Sequence, residues 1–464
     1  MFERPRFTRF SLIAPAAVVL AAVMLLAITQ PAAAAELYYT YRTADRGGVG
    51  VMQIDSHTGA ILGTRKLYES QDTLYIDKLA LSQSGKLLAA INVQKPDKDK
   101  PAGVQLILLH LDESNAPAGA LPKAFPGALP GEPGEIDAFG ERFLVGQDKG
   151  WDCVIDGPTG RIISEWNARK QLDPPGHHTE DFWIQPDGKL AWATLQKDSS
   201  SGKYQGSRLV LFELPELKVR HDLLLPRNHP ELHLANNAKE SGPNPEVILV
   251  SPATNTLMLS LDLYGGVALA DLDAARNGNW ANLLYLSTAP DGAWGVAFPD
   301  RMTMFHFNNR DYVLISNAGQ PGGAAIVDLA DRRIVQCVPC DPGLDTPTYL
   351  PLLKSVVAVK VGKLKGRDAE GLTKTYEPGR GLYLFDVAPL AAGGEVALRI
   401  VETPGLCFRL DALEPEANNL VAVATGEKQA DHFTIFDAAT GRIIATEPAF
   451  GDIQRTLLRR DDSR

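Results

Sequence analysis

Cysteine and clustered basic residues are scarce in this chain, and each scarcity excludes a class of protein. Only Cys337 and Cys340, among four cysteines, have CxxC spacing. No second CxxC exists and no histidine directly follows Cys340, which excludes a zinc ribbon and a covalently attached haem. The chain has 46 Lys and Arg against 56 Asp and Glu, a net charge of −10. An acidic chain with few basic clusters argues against nucleic acid as a partner.

Motifs that carry known chemistry are also missing. The sequence contains no GxSxG, HExxH, Walker loop, GxGxxG or calcium-binding loop. Each of these motifs places a nucleophile, a metal ligand or a phosphate-binding backbone at a fixed spacing. The sequence therefore predicts no cofactor, and it leans away from catalysis by this chain alone.

One hydrophobic run is long enough to span a membrane, and it lies at the N-terminus. Three arginines precede the apolar stretch Ser11–Ile28, and Pro31–Ala35 offers small residues for cleavage before Glu36. This order is typical of a secretory signal peptide. We expect a signal peptide at 1–35 and a mature domain at 36–464, periplasmic or secreted and free of the membrane.

An uncleaved membrane anchor is the alternative, because the apolar run is about long enough to cross a bilayer. Pro15 within the run and the alanine-rich end favour cleavage. Loss of residues 1–35 removes three Arg and one Glu, so the net charge changes from −10 to −12.

A unit of short strands and tight turns recurs along the chain. In its clearest copy the apolar runs Leu420–Val423 and Phe433–Phe436 precede the turn Asp437–Gly441. Aspartate there can accept hydrogen bonds from its own backbone, and glycine can take a positive φ. The complete units lie at Leu79–Phe125, Glu135–Trp166, Asp181–Leu225, Val247–Leu286, Trp294–Val338, Thr348–Val401 and Cys407–Thr446.

An eighth unit is divided between the two ends of the chain. The segment from Leu37 to Leu67 has only a second, third and fourth strand, and Asp452–Leu458 can supply the first. Pairing the termini in one sheet closes a ring and removes its open edge. The sequence predicts an all-β fold, a single β-propeller of eight four-stranded blades. Seven blades is the alternative, if Leu79–Phe125 does not form a blade of its own.

Several runs resemble a known superfamily. PDGK followed by LAWAT, and the later VIDGPTGRII and IFDAATGRII, are similar to YVTN and quinoprotein-type β-propellers. The last 60 residues resemble the end of amine dehydrogenase heavy chains, with LVAVATGEKQADHFTIFDAATGR before a closing strand. In that family the tryptophan-derived cofactor belongs to a separate small subunit. The resemblance therefore implies a propeller scaffold that would need a small cysteine-rich partner.

The connections between strands predict which face binds. In an up-and-down sheet, alternate connections lie on the same face, and one set here is short and turn-like. We expect one exception in that set, a longer loop at Pro299–Asp311. The other set is long and polar, and such loops on a regular scaffold usually carry function. Its members, which define the long-loop face, are Gln94–Gly103, Asn167–Thr179, Gln196–Ser207, Pro226–Pro245, Pro339–Pro347 and Gly362–Arg380.

Two groups of residues on the long-loop face are candidate sites. Imidazole and carboxylate suit a divalent metal or general acid–base work, although ordinary solvated or hydrogen-bonded histidines are the simpler explanation of the first group. The second group is basic, and it can attract an anionic ligand or an acidic partner or simply be solvated. The first group is His177, His178, Glu180, His229 and His233, and the second is Lys363, Lys365 and Arg367.

The pair Cys337 and Cys340 predicts a local disulfide in an oxidising compartment.

For the whole chain we expect a binding or scaffold protein whose long-loop face takes a protein partner or a small ligand. The alternatives are a non-catalytic subunit of an amine-dehydrogenase-type oxidoreductase and a metal-assisted hydrolase or lactonase.

Overall fold

The computed structural model describes most of the chain from residue 34 onward. The described residues are 34–94, 104–111, 127–129, 133–147, 151–173, 178–196, 207–226, 243–289, 299–319, 322–340, 343–360, 365–367, 373–375 and 379–460.

The strands pair into eight four-stranded antiparallel sheets, the blades, each in the order first to fourth strand. Blade 1 consists of β34 (Asp452–Arg459), β1 (Ala34–Arg42), β2 (Gly47–Asp55) and β3 (Ile61–Ser70). Blade 2 consists of β4 (Thr73–Leu81), β5 (Leu87–Gln94), β6 (Val104–His110) and β7 (Gly127–Leu129). Blade 3 consists of β8 (Pro133–Phe139), β9 (Arg142–Gln147), β10 (Trp151–Asp156) and β11 (Arg161–Asn167). Blade 4 consists of β12 (His178–Ile184), β13 (Leu190–Gln196), β14 (Arg208–Glu213) and β15 (Lys218–Leu224).

The second half of the chain repeats the arrangement. Blade 5 consists of β16 (Pro245–Ser251), β17 (Thr256–Leu261), β18 (Gly266–Asp271) and β19 (Leu284–Ser287). Blade 6 consists of β20 (Pro299–Phe307), β21 (Arg310–Asn317), β22 (Gly323–Asp328) and β23 (Arg333–Pro339). Blade 7 consists of β24 (Leu344–Leu350), β25 (Ser355–Lys360), β28 (Gly381–Asp386) and β29 (Arg399–Glu402). Blade 8 consists of β30 (Leu406–Ala412), β31 (Leu420–Gly426), β32 (His432–Asp437) and β33 (Arg442–Pro448).

The remaining elements are short. A separate hairpin, β26 (Lys365–Arg367) and β27 (Thr373–Thr375), lies between the second and third strands of blade 7. The helices are α1 (Ala168–Gln171), α2 (Leu272–Arg276), α3 (Val387–Ala392) and a 3-10 turn at Asp262–Tyr264. Among the described residues, no helix is both long and apolar enough to cross a bilayer.

The first strands of the blades form a closed ring. Each contacts the first strand of the next blade, in the order β34, β4, β8, β12, β16, β20, β24, β30 and back to β34. These eight innermost strands therefore surround a central channel. The predicted all-β propeller of eight blades is confirmed, and the weakly patterned unit near Leu79 does form a blade of its own.

The two ends of the chain close the ring. Strand β34 pairs antiparallel with β1, with Leu37 opposite Leu458 and Arg42 opposite Asp452. Ile453, from the closing strand, is almost fully buried in the cluster between blades 8 and 1. The predicted clasp between head and tail is confirmed.

A hydrophobic cluster lies between each pair of adjacent blades. The second and third strands supply most of it. Strand β5 is buried along nearly its whole length, and β17 is buried throughout. The fourth strands are largely solvated, as the alternating exposure of β15 shows. Apolar runs thus identify the middle of each blade, because both faces of a middle strand pack on neighbouring blades.

The short turns form as their sequences predict. The carboxylate of Asp55 accepts hydrogen bonds from the backbone N–H groups of His57 (3.0 Å) and Thr58 (3.1 Å). Gly59 and Gly441 close the equivalent turns with φ of 74°.

One loop assignment was wrong. We expected Pro299–Asp311 to be a long connection, but residues 299–307 form the innermost strand β20. The turn consists of Asn308 and Asn309, whose φ angles are 49° and 58°. Asparagine tolerates the left-handed region, so two residues suffice where a loop was predicted.

Deleting residues 452–464 removes β34 and leaves β1 with an unpaired edge. We expect a melting temperature lower by about 10 °C or more, because the buried closing strand contributes to blades 8, 1 and 2. Deleting only residues 461–464 is the matched control and should leave the melting temperature unchanged. Equal melting of both deletions, followed by circular dichroism, would contradict the closure.

Candidate functional site

Every innermost strand has at least one extra residue relative to the second strand of its blade, and β4 has a further one between Thr73 and Tyr75. Such a β-bulge bends a strand and redirects its side chains, and bulges are frequent beside functional sites. The interruptions lie near the start of each strand, toward the long-loop face. They fall between Ile76 and Lys78, Pro133 and Ile136, Thr179 and Asp181, Pro245 and Ile248, Pro299 and Met302, Asp345 and Thr348, Phe408 and Leu410, and Ile453 and Arg455.

Hydroxyl groups on second strands hold three of the bulges. In blades 4, 5 and 6 a serine or threonine opposite the bulge accepts a hydrogen bond from the displaced backbone N–H, which keeps that polar group satisfied. The pairs are Asp181 with Thr194 (3.0 Å), Val247 with Ser260 (2.9 Å) and Arg301 with Ser316 (3.1 Å).

Charged side chains occupy the bulges and their neighbours, and they divide the channel into two sides. Blades 3, 4 and 5 supply only carboxylates, which we call the acidic arc. Blades 6, 8, 1 and 2 supply all four cations, which we call the basic arc. The acidic arc is Glu135, Asp137, Glu180, Asp181 and Glu246, and the basic arc is Arg301, Arg409, Arg455 and Lys78, with Asp300, Asp345 and Asp411 between its members.

The acidic arc holds protons unusually tightly. Burial, followed by the charge of Glu135, raises the pKa of Asp181 to about 8, although the backbone N–H of Ile248 donates to its carboxylate at 2.7 Å. Burial and the charge of Glu180 likewise raise the pKa of Glu246 well above its usual range. Burial also raises the pKa of Asp137 to about 6. Removing carboxylates from water disfavours their charged form, and like charges add to that effect.

The two arginines Arg301 and Arg409 of the basic arc form long ion pairs. Arg301 Nε lies 3.3 Å from Asp300 Oδ1 and 4.0 Å from Asp345 Oδ1. Burial lowers the pKa of Arg301, but the charges of Asp300 and Asp345 outweigh it and the pKa is raised. Arg409 Nη1 lies 3.9 Å from Asp345 Oδ2. Both guanidinium groups are therefore charged without being tightly bound to a carboxylate.

A cavity of about 300 Å³ opens between the basic arc and Glu135. Its walls include Lys78, Arg301, Thr346, Arg409 and Arg455. Lys78 is already paired with Glu135 at 2.9 Å. The cavity lies within the channel near the starts of the innermost strands, below the long-loop face.

The structure describes few of the residues predicted to form a site. Glu180 lies at the bulge of β12, where its charge raises the pKa of Glu246. His178 pairs with Gln196 through the backbone, but its side chain lies outside the described set, as do His177, His229 and His233. In the part of the chain that the structure describes, no three His, Cys, Asp or Glu side chains gather as metal ligands do.

The basic group is described only through its backbone. Lys363 lies outside the described residues. Lys365 and Arg367 belong to β26, and Arg367 pairs with Thr373 of β27. Their side chains are not among those described.

The expected disulfide is not formed, since no bond joins the sulfur atoms of Cys337 and Cys340. Cys337 packs in the cluster between blades 5 and 6, and Cys340 in the cluster between blades 6 and 7. Residues three apart on an extended chain point to opposite faces, which separates the two sulfur atoms. The Cys337 thiol instead donates to the carbonyl of Thr288, with Sγ and O 3.4 Å apart.

Sequence reasoning missed most of the channel. Arg409 and Arg455 carry charge inside predicted strands, whereas Asp300 and Arg301 lie in a segment that was predicted to be a loop. The usable signal was a charged residue within the innermost strand of every blade.

The comparisons with known proteins bear on the fold. No family model and no curated protein sequence matches the chain. Sqt1 from Chaetomium thermophilum has a TM-score of 0.55 at 12% identity, over 82% of this chain and 89% of its own. Apo AztD from Citrobacter koseri has a TM-score of 0.51 at 16% identity, over 92% and 98%. The periplasmic gluconolactonase PpgL from Pseudomonas aeruginosa has a TM-score of 0.46 at 14% identity, over 92% and 98%.

At such identities a likeness concerns the fold alone, and the two structures with TM-scores above 0.5 share the fold of this chain over more than four fifths of its length. The resemblance to amine dehydrogenase heavy chains stays a prediction.

Replacing Asp181 by Asn should remove part of the pH dependence of stability. The folded protein keeps a proton on Asp181 up to about pH 8. The unfolded chain releases that proton near pH 4, so the free energy of unfolding falls as pH rises between these values. At pH 8.5 we expect Asp181→Asn to melt about 2 °C or more above the wild type, and the two melting temperatures to converge as the pH falls to about 4.

Thermal unfolding across this pH range makes the measurement. Asp187→Asn, in an exposed turn on the opposite face, is the matched control and should follow the wild type at every pH. A parallel loss of stability in Asp181→Asn at all pH values would contradict the assignment.

Proposed function

We propose that this protein is an exported β-propeller that binds a partner or a small ligand at the long-loop end of its channel. The observation that carries the proposal is the convergence of charged side chains on the innermost strands at that end. Each is attached to a paired strand rather than to a loop, so the site is preorganised by the scaffold. Loops of uneven length begin and end around the same opening, where binding residues usually gather.

The long-loop face also suits a protein partner. Lys363, Lys365 and Arg367 lie in or beside the hairpin that interrupts blade 7 between its second and third strands. On an acidic chain, such a basic segment would attract a partner of opposite charge and set its orientation.

Two other functions stay predictions. An amine-dehydrogenase-type subunit rests on the resemblance of the last blade, and a metal-assisted hydrolase on histidines outside the described residues. No observation in the described part of the chain favours either over binding.

Export predicts a shortened mature N-terminus. Intact-mass measurement of the exported protein should find a chain that starts at or within a few residues of Glu36. Strand β1 begins at Ala34, so cleavage before Glu36 costs only the two end pairs, Ala34 with Asp55 and Ala35 with Ile54. A chain that retains residues 11–28 would instead support a membrane anchor.

Neutralising Lys363, Lys365 and Arg367, which we call the basic segment, should weaken binding to an acidic polymer. We expect the triple variant Lys363→Gln, Lys365→Gln, Arg367→Gln to bind poly-L-glutamate about threefold or more weakly at low salt, since exposed ion pairs contribute on the order of 0.2–1 kcal/mol each. The difference should disappear as ionic strength rises.

The matched control removes three charges from the opposite face, as Lys189→Gln, Lys218→Gln, Arg333→Gln. These exposed side chains belong to turns or strand starts at the short-turn end. Fluorescence anisotropy with labelled polymer compares the variants. Equal weakening by both triple variants, or by neither, would argue against a binding role for the long-loop face.

A further inference from the structure

We propose that the basic arc is a binding site for a small ligand that carries one carboxylate or phosphate group, held by Arg301, Arg409 and Thr346. This inference rests on the proposed binding function and specifies the chemistry of the ligand. Four independent features support it: unused donors, loose ion pairs, an unusual backbone, and the size and charge of the cavity.

The cavity is lined by donors that are buried and unused. Arg301 Nε, Arg409 Nε and Thr346 Oγ1 are buried without a hydrogen-bond partner among the described residues. A buried polar group without a partner is unfavourable and calls for a specific explanation. All three groups can donate, and they belong to three neighbouring blades that face one cavity. An acceptor with several oxygen atoms would satisfy them together.

The nearby carboxylates do not already fill this role. The closest pairs join Arg301 to Asp300 at 3.3 Å and Arg409 to Asp345 at 3.9 Å. Charge-assisted hydrogen bonds between these groups are about 2.7–2.9 Å long. Asp300 and Asp345 therefore balance charge without consuming the donors. A planar guanidinium group presents its N–H groups as a fork that matches carboxylate and phosphate oxygens.

The backbone at the cavity is held in an unusual conformation. Thr346 has φ of 43° and Arg409 has φ of 52°, and both lie at bulges of innermost strands. A positive φ is uncommon for any residue with a side chain and especially so for a β-branched one. Such strain persists where the surrounding fold imposes it, often at ligand sites. The guanidinium of Arg409 is also held over the ring of Phe408, 4.6 Å from its centroid.

Size and charge narrow the ligand further. A cavity of about 300 Å³ suits a small metabolite and not a polymer. Across the channel stands the acidic arc, which would repel a second negative charge. The ligand that fits has an oxyanion at one end, toward the basic arc, and a neutral or cationic remainder.

The test uses three probes that differ in the oxyanion. The purified mature chain is titrated in a calorimeter with each probe in turn. β-Alanine carries a carboxylate, phosphoethanolamine carries a phosphate, and ethanolamine carries neither. We expect saturable binding of β-alanine or of phosphoethanolamine, and the stronger of the two identifies the oxyanion. Ethanolamine should not bind measurably. Absence of saturable binding by both oxyanion probes, or equal binding of ethanolamine, would overturn the proposal.

Two variants locate the site. Arg409→Lys keeps the charge beside Asp345 but loses the fork, so we expect affinity to fall about tenfold or more while the melting temperature is retained. Thr346→Val replaces only the hydroxyl group, by a methyl group of similar size, and should also weaken binding. Arg333→Lys is the matched control, because this arginine pairs with Asp331 at 3.6 Å on the exposed opposite end. Affinity unchanged in Arg409→Lys, or lowered equally in Arg333→Lys, would reject the site.

The outcome also separates this inference from the broader proposal. If poly-L-glutamate binds through the basic segment while neither oxyanion probe binds, the long-loop face is a binding surface and the oxyanion site is rejected. If the probes bind through Arg409 but polymer binding is the same in the wild type and the triple variant of the basic segment, the oxyanion site is supported and the protein-binding role of that segment is rejected.

Discussion

The pairing of β34 with β1 is the interaction on which the rest of the structure depends. It turns a row of blades into a ring, and only a ring gives the innermost strands a shared channel. The hydrophobic cluster between blades 8 and 1 forms only when this pairing brings the chain ends together. The charged site is therefore a product of closure as much as of its own residues, since its members come from almost every blade.

Within the ring, most apolar core residues and the charged residues of the channel lie on different strands. The second and third strands fill the spaces between blades, and the bulges of the first strands carry the charges. The acidic arc keeps part of its charge suppressed, with the pKa of Asp181 raised to about 8 by burial and by neighbouring carboxylates. The basic arc is compensated by Asp300 and Asp345, yet retains unused donors. The site thus contains buried donors without hydrogen-bond partners among the described residues.

The sequence predicted the architecture better than the site. Turns such as Asp55–Gly59 are specified locally, so their repetition revealed the blades and the split eighth unit. A bulge breaks the two-residue period from which strands are predicted, and so Arg409 was overlooked, while Arg301 lies in a segment that was predicted to be a loop. The prediction of a disulfide was wrong for a related reason, because spacing along the chain does not tell which face of a strand each cysteine occupies. Of the predicted histidine and carboxylate group, Glu180 is the member whose side chain the structure describes, and it lies at the channel.

The bulges have a consequence for how such a protein can change. A bulged residue takes no part in the ladder register and contributes little to the packing between blades, so its identity is nearly free of the demands of folding. In this chain the bulged residue is Glu180 in blade 4 and Arg409 in blade 8, although the two blades have the same four-stranded arrangement. A new specificity can therefore arise by replacing one or two such residues, without rebuilding the surrounding sheets. Propellers that share this frame can differ widely in what they hold while their backbones stay alike.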